Sequence, residues 1–307
     1  MPHCLPALAR GDPPGTSPLI ASELRAAVEV ALGQRVSGVA RVSGGDINEA
    51  FELALADGQS AFLKTNARAP LTMFATEARG LEFLRAAGAL RIPEVLAYSA
   101  ADQRPSFLLL EFLRPAKARR GFDEELGRGL AALHRAGPAS FGLAESNFIG
   151  RLPQSNRAHA TWAEFYGAER LEPQLRAAVN ANLLGSTTAR DFERLFAKLP
   201  DLVGATEPPA RLHGDLWGGN LHVDEHGAPC LIDPAAYGGH REIDLAMMQL
   251  FGGFGARVFA AYDEAFSRSP GHAERVALYQ LYPLLVHVNL FGGSYAGSVQ
   301  RALAEYV

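Results

Sequence analysis

Thirty residues, Val36 to Thr65, hold three strand-like runs in quick succession: "VSGVARVS", "EAFELAL" and "SAFLKT". One connection carries the pair Gly44-Gly45 and the other turns at Asp57-Gly58. Parallel strands need a crossover of roughly a dozen residues or more, so this spacing predicts an antiparallel meander. A helix pattern precedes it, Ser22 to Leu32, with Ser22 as the expected cap. Another follows from Leu71 to Ala87, where Phe74, Leu81 and Leu84 share one face. Pro93 marks the next entry, and "SFLLLEFL", Ser106 to Leu113, has the unbroken apolar character of a strand buried on both faces. Residues 19–112 therefore read as a small antiparallel sheet with a helix laid against it.

After Pro115 the pattern becomes helical. "DEELGRGLAALHRAG" opens with acids in its first turn and closes at Gly137. Residues 161–184 and 187–198 have the same character, and three or more helices fill the region after residue 240. One stretch interrupts them. "RLHGDLWGGNLHV" reads as strand, tight loop and strand, and "GAPCLIDPA" returns after the turn "DEHG". Leu212, Leu221, Val223, Leu231 and Ile232 are expected to anchor this hairpin in the core. The expected organisation is a leader, 1–18, taken as flexible, then a β-rich lobe, 19–112, and a mostly helical lobe, 113–307.

The chain has 307 residues, 48% of them hydrophobic and 20% charged, with a net charge of −4 and no basic block. Nucleic acid is therefore not expected as a partner, while a charged small molecule remains open. Cys4 and Cys230 are the two cysteines, too few for a disulfide framework or a zinc site, which fits a reducing compartment. Cys230 reads as a buried hydrophobe, and a redox role for Cys4 rests on nothing in its surroundings. The proline-broken opening lacks signal-peptide character, and no apolar run approaches the ~18 residues that span a bilayer. A soluble, cytoplasmic protein without a membrane partner is expected; oligomeric state is not legible.

The chemistry concentrates at Asp215, Asn220 and Asp233, which bracket the hairpin. A carboxylate and an amide oxygen converging there are hard ligands suited to Mg²⁺. A further carboxylate beside them can orient or deprotonate a hydroxyl, which is what phosphoryl transfer requires of a protein. Asp-x4-Asn followed 13 residues later by Asp matches the order of catalytic base, metal-binding Asn and metal-binding Asp in protein kinases. Turns and caps alone also favour Asp and Asn.

The upstream sequence supplies a separate test, because a kinase site needs a strand lysine for the ATP phosphates and a helix carboxylate to hold it. Lys64 ends the third strand, and Glu77 follows 13 residues later in a helix. The bland alternatives are an edge-strand lysine and a solvated acid paired with Arg79; Glu82 is the competing helix acid. His213 reads as a packed histidine, and Asp244 as a brace for the catalytic loop.

"HGDLWGGN", "DPAAYGGHREIDLAMMQLFGGF" and "YPLLVHVNLFGGSY", with the earlier "SGGDINEAFEL", "FLKTN" and "FATEARGLEFL", resemble the fructosamine kinase (ketosamine-3-kinase) family, within the aminoglycoside-phosphotransferase-like kinases. The likeness runs from about Val36 to Tyr295. It implies an α+β, two-lobed protein-kinase-like fold and ATP-dependent phosphorylation of the sugar 3-hydroxyl of ketosamines. That product is unstable, so the acceptor, a small ketosamine or a glycated amine or protein, is deglycated. Carried over, Asp215 is the base, Asn220 and Asp233 hold Mg²⁺, Lys64 contacts ATP phosphates and Glu77 orients Lys64. Glu111 and Leu113 present backbone groups to adenine, Gly44 and Gly45 let backbone approach phosphate, and Trp217 shapes the sugar side. His287 and Asn289 are further candidates for the acceptor pocket. The phosphate loop lacks the three spaced glycines of protein kinases, so a plain hairpin turn explains Gly44-Gly45 equally well. Pro234 after Asp233 argues against a flipping activation segment. The alternatives are a related kinase of an aminoglycoside, choline or another hydroxylated amine, and a nucleotide-binding pseudokinase.

Overall fold

The computed structural model describes residues 19–42 and 48–307. Gly44, Gly45, Cys4 and the leader lie outside them. The chain divides into two compact units, one built from residues up to 82 together with 93–115, the other from 83–92 and 116–307.

In the first unit, helix α1 (Ser22–Leu32) precedes strands β1 (Val36–Arg41), β2 (Glu49–Leu55) and β3 (Ser60–Thr65). Helix α2 (Met73–Arg85), whose last turn falls with the second unit, and strands β4 (Val95–Tyr98) and β5 (Phe107–Glu111) follow. The sheet order is β1-β2-β3-β5-β4, antiparallel at every pairing, which bears out the meander. Strand β4 has no signal in the sequence because it is four residues long, three of them paired, and their burial alternates between partial and exposed. Ser22 is the first helical residue rather than the cap: Ala21 holds that position and no side chain caps the turn. The helix ends where Gly33 adopts φ 67°, a conformation that costs glycine little. Leu24 and Val28 of α1 join Phe51, Leu53, Leu63 and Leu109 in one core. Leu53, Leu63 and Leu109 are wholly buried, each contributing about 1.5–3 kcal/mol.

The second unit contains α3 (Phe122–Arg135), the short hairpin β6 (Asn147–Ile149) and β7 (Leu152–Gln154), then α4 (Trp162–Phe165). A capping box between Thr161 and Glu164 starts α4. The expected helix over 161–184 is interrupted: Tyr166–Leu171 form a π-helical turn before α5 (Glu172–Asn180). Helix α6 (Ser186–Leu202) and strand β8 (Ala210–Leu212) come next. Strands β9 (Leu221–Val223), β10 (Pro229–Leu231) and β11 (Tyr237–Gly239) lead to α7 (Glu242–Phe251), α8 (Ala256–Ala265), α9 (His272–Phe291) and α10 (Ala296–Leu303). Strand β9 pairs with β10, and β8 pairs with β11, so an outer ladder closes around the expected hairpin. Leu212 and Leu231 are fully buried as expected, whereas Leu221, Val223 and Ile232 are only partly covered. Among the described residues no helix is long and apolar enough to cross a membrane.

Candidate active site

Lys64 lies on β3, the middle strand of five, paired with Ala50 on one side and Leu108 on the other. That removes the edge-strand reading. Its Nζ is 2.7 Å from Glu77 Oε1 on α2, with side chains only 10% and 12% exposed. Glu82 is exposed, so Glu77 is the helix acid that meets the lysine. At the end of β5, the Glu111 N–H donates to the Glu94 carbonyl, and Glu111 Oε1 accepts from the Glu94 N–H, each at 2.9 Å. Leu113 lies just beyond the strand, partly buried.

In the second unit β8 delivers His213-Gly214-Asp215 into a tight loop. Gly214 has φ 81°, and a Cβ there would stand 2.1 Å from the Ala235 carbonyl oxygen, so no other residue fits. The loop is held through its backbone. Buried Asp244 of α7 accepts from the His213 N–H at 2.8 Å and the Gly214 N–H at 2.9 Å, and its Oδ2 lies 3.2 Å from His134 Nε2. Burial would raise the Asp244 carboxyl, but the His134 bond and charge, with the Gly214 N–H, hold it below the usual range. His213 Nε2–H donates to the Ile232 carbonyl at 2.9 Å, while Nδ1 accepts from the Asp215 N–H at 3.3 Å. Both ring nitrogens are thus engaged, and burial pushes the imidazole pKa down, so His213 is a neutral brace.

Asn220 ends a 3-10 turn, Gly218–Asn220, and is buried. Its Nδ2 faces three acceptors: the Asp215 carbonyl at 2.8 Å, Asp215 Oδ2 at 3.2 Å and the Asp233 carbonyl at 3.5 Å. An amide so oriented turns Oδ1 away as the group able to meet a cation. The structure therefore brings Asp215, Asn220 and Asp233 together, with the Ile232 N–H also donating to the Asn220 carbonyl at 3.0 Å. Asp233 has φ 55°, a left-handed conformation that costs a non-glycine residue about 1–2 kcal/mol. Two oxygen donors without a larger carboxylate cage suit Mg²⁺, which keeps waters and substrate oxygens; among the described residues no group of three His, Cys, Asp or Glu forms a metal cage.

Trp217 is 42% exposed and its ring lies over Gly219, where a Cβ would come within 2.3 Å of the indole. The Gly218 N–H donates to the Gly252 carbonyl at 3.2 Å, and a Cβ on Gly253 would meet Gly218 Cα at 2.6 Å. The glycine run after α7 therefore seats the catalytic loop, a role not recognised from sequence. His287 donates Nδ1–H to the Pro283 carbonyl at 2.8 Å and stacks on Phe251 with ring centroids 4.4 Å apart. Tyr295 and Phe291 complete this aromatic group, at 5.0 and 5.3 Å from His287. Burial lowers the His287 pKa, which keeps Nε2 an acceptor. Asn289 commits Nδ2 to Gln174, at 2.9 Å to its carbonyl and 2.8 Å to Oε1, tying α9 to α5.

A cavity of about 670 Å³, lined by Phe141, Trp162, Phe196, Glu207 and His240 among others, is reached from the other ends of β8 and β11. There Arg241 makes paired bonds to Glu207 at 2.7 and 2.9 Å, and Ser269 also donates to Glu207. Burial opposes the Glu207 charge, but these bonds bring its pKa to about 2. Burial pushes His240 down to about 4, from 6.5 in a free chain. The unfolded chain therefore takes a proton below pH 6.5 that the folded one refuses. Stability present above pH 6.5 falls as pH drops to about 4, by an amount on the order of 3 kcal/mol. Urea midpoints taken across that window should fall, with His213 adding to the slope, and His240→Gln should flatten it. A slope untouched by His240→Gln assigns the effect to other groups.

A family model described as fructosamine kinase matches residues 20–307. The chain is 39% identical over 272 residues to the "probable ketoamine kinase" of Lactiplantibacillus plantarum, covering 88% of this chain and 95% of that one. It is 36% identical over 277 residues to the chloroplastic protein-ribulosamine 3-kinase of Oryza sativa subsp. japonica, covering 89% and 80%. A solved structure from Thermobifida fusca YX-ER1 that carries the fructosamine-3-kinase name superposes with TM-score 0.85 at 36% identity, over 93% of this chain and 99% of that one. An aminoglycoside phosphotransferase structure, at TM-score 0.61 and 18% identity, covers 94% of this chain and 100% of its own and shares the fold. These neighbours bear out the α+β, two-lobed kinase-like fold class.

Proposed function

The chain belongs to the fructosamine kinase family, and from that premise we propose that it transfers the γ-phosphoryl group of ATP to the 3-hydroxyl of a ketosamine, the adduct of a sugar with a small amine or a protein amine. The observation that carries this reading is the convergence of Asp215, Asn220 and Asp233 on one braced loop, with Asn220 Nδ2 3.2 Å from Asp215 Oδ2. Asp215 takes the proton of the acceptor hydroxyl as that oxygen attacks phosphorus. The hydroxyl oxygen–phosphorus bond forms, and the bond to ADP breaks. Asn220 Oδ1 and the Asp233 carboxylate would hold Mg²⁺, which would supply charge neutralisation for the phosphate oxygens. Lys64, held by Glu77, contacts the phosphates of ATP, and the backbone at Glu111 and Leu113 faces the adenine. Trp217 offers an exposed aromatic face to the sugar, with His287 as an acceptor of hydrogen bonds from its hydroxyls.

The test is ADP release from ATP, with and without Mg²⁺, on four acceptors: fructosyl-lysine, ribulosyl-lysine, an aminoglycoside and choline. Turnover confined to the ketosamines is expected. Turnover on the aminoglycoside or choline alone moves the acceptor class while leaving the phosphoryl chemistry in place. ATP binding without turnover on any of the four overturns the reading.

A further inference from the structure

Asp233 occupies a left-handed backbone conformation, and the segment after it is gripped by a buried network of amides from the β6–β7 hairpin. Asn147 Nδ2 donates to the Ala236 carbonyl at 2.9 Å, and Gln154 Nε2 donates to the Ala235 carbonyl at 3.1 Å. Gln154 Nε2 also donates to Asn147 Oδ1, as does Asn156 Nδ2, each at 2.8 Å. Arg170, wholly buried on the π-helical turn, donates to Asn156 Oδ1 at 2.7 Å and to the Ser155 carbonyl at 2.6 Å. Tyr282 donates its hydroxyl to Gln154 Oε1 at 2.6 Å. Asn147, Gln154, Asn156 and Tyr282 are all at least nine-tenths buried.

The polarity of this network is fixed from Arg170 at one end and from backbone carbonyls at the other. Arginine only donates, so Asn156 must turn Oδ1 toward Arg170 and Nδ2 toward Asn147. Asn147 must then accept through Oδ1, and its Nδ2 is left facing the Ala236 carbonyl. Gln154 must in turn point Nε2 at two acceptors, Asn147 Oδ1 and the Ala235 carbonyl, and its Oε1 then takes the Tyr282 hydroxyl. No amide can flip without facing like against like, so two donors are held permanently on the two carbonyls that follow Asp233-Pro234. On the opposite side the Ala235 N–H donates to the His213 carbonyl at 2.9 Å. Residues 235 and 236 are thus pinned from two directions, one the catalytic loop and the other the hairpin. A non-glycine residue with positive φ persists when its surroundings over-determine it.

We propose that Gln154 and Asn147 are positioning residues that hold Asp233 in its metal-binding conformation, through the carbonyls of Ala235 and Ala236. The proposal rests on Asp233 being a Mg²⁺ ligand. Arg170 acts through them by fixing the direction of the amides. The π-helical turn gains a purpose in the same way, since it brings Arg170 to Asn156.

The test uses Gln154→Met, which keeps the side-chain length and removes both donors. Mg²⁺ half-activation of turnover is measured beside direct Mn²⁺ binding by electron paramagnetic resonance in the presence of ADP. The expected result is about a tenfold rise in both the Mg²⁺ midpoint and the Mn²⁺ dissociation constant, with KM for the ketosamine within about twofold. A folded Gln154→Met variant with unchanged Mn²⁺ affinity overturns the proposal, even if its thermal midpoint falls. Should that variant not fold, Asn147→Leu, which removes the donor to the Ala236 carbonyl and the acceptor Oδ1 without adding a buried charge, carries the same expectation. The Mn²⁺ reading stands whichever acceptor the wild-type protein uses, so failure of the ketosamine assignment is distinguishable from failure of this one.

Discussion

Asp215→Asn lowers kcat by about 100-fold or more while leaving ATP affinity within about twofold. If Asp215 is the base, the substitution removes the proton acceptor and keeps the backbone bonds that hold the loop. Short bonds reach the backbone of that loop: Asp244 takes the N–H groups of His213 and Gly214, and Asn220 Nδ2 takes the Asp215 carbonyl at 2.8 Å. The 3.2 Å contact between Asn220 Nδ2 and Asp215 Oδ2 does involve the carboxylate, and the amide oxygen of the new side chain can still accept it. The nucleotide therefore meets the same loop, with a side chain that cannot take a proton. Calorimetric ATP binding and steady-state turnover separate the two effects. Near wild-type turnover would remove Asp215 from the role of base, and a matching loss of ATP affinity would make it part of the nucleotide site.

The sequence made this loop legible because its chemistry is local. Asp215, Asn220 and Asp233 are separated by short, fixed runs, and a hairpin can only return them to one place. Lys64 and Glu77 were legible for the same reason, since one strand and the helix after it carry both. What escaped were elements whose meaning is not local. Strands β6 and β7 have three residues each, too short for any alternation to register, and the amides they carry act on carbonyls 89 and 81 residues away. Strand β11 reads "YGG", a composition that suggests a turn, and pairs only because Gly238 and Gly239 let other groups approach: a Cβ on Gly238 would lie 2.6 Å from the Ser140 carbonyl oxygen. The π-helical turn keeps an ordinary helical pattern, and its break follows from burying Arg170 among Phe165, Tyr237 and Tyr282. Tertiary demand set all three, and no window of sequence contains it.

Glu77→Leu destabilises the first unit by about 3 kcal/mol, the low end of the range for breaking a buried ion pair. It removes the carboxylate 2.7 Å from Lys64 Nζ, on a pair whose side chains are 10% and 12% exposed. The slight access to water places the effect at that end. The double variant Lys64→Met, Glu77→Leu should recover most of the loss, because two apolar side chains fill the same space without desolvating charge. Activity should not recover with it. If Lys64 contacts the phosphates and Glu77 aims it, both variants lose about 100-fold or more in kcat/KM for ATP, as for removal of a preorganised donor to developing charge. Urea unfolding of the first unit and ATP kinetics on the same samples give both numbers. Recovered stability without recovered turnover identifies a pair kept for phosphate binding at a cost in burial. Recovered turnover in the double variant would mean that the pair only packs the sheet against α2, and that the phosphate contact lies on other residues.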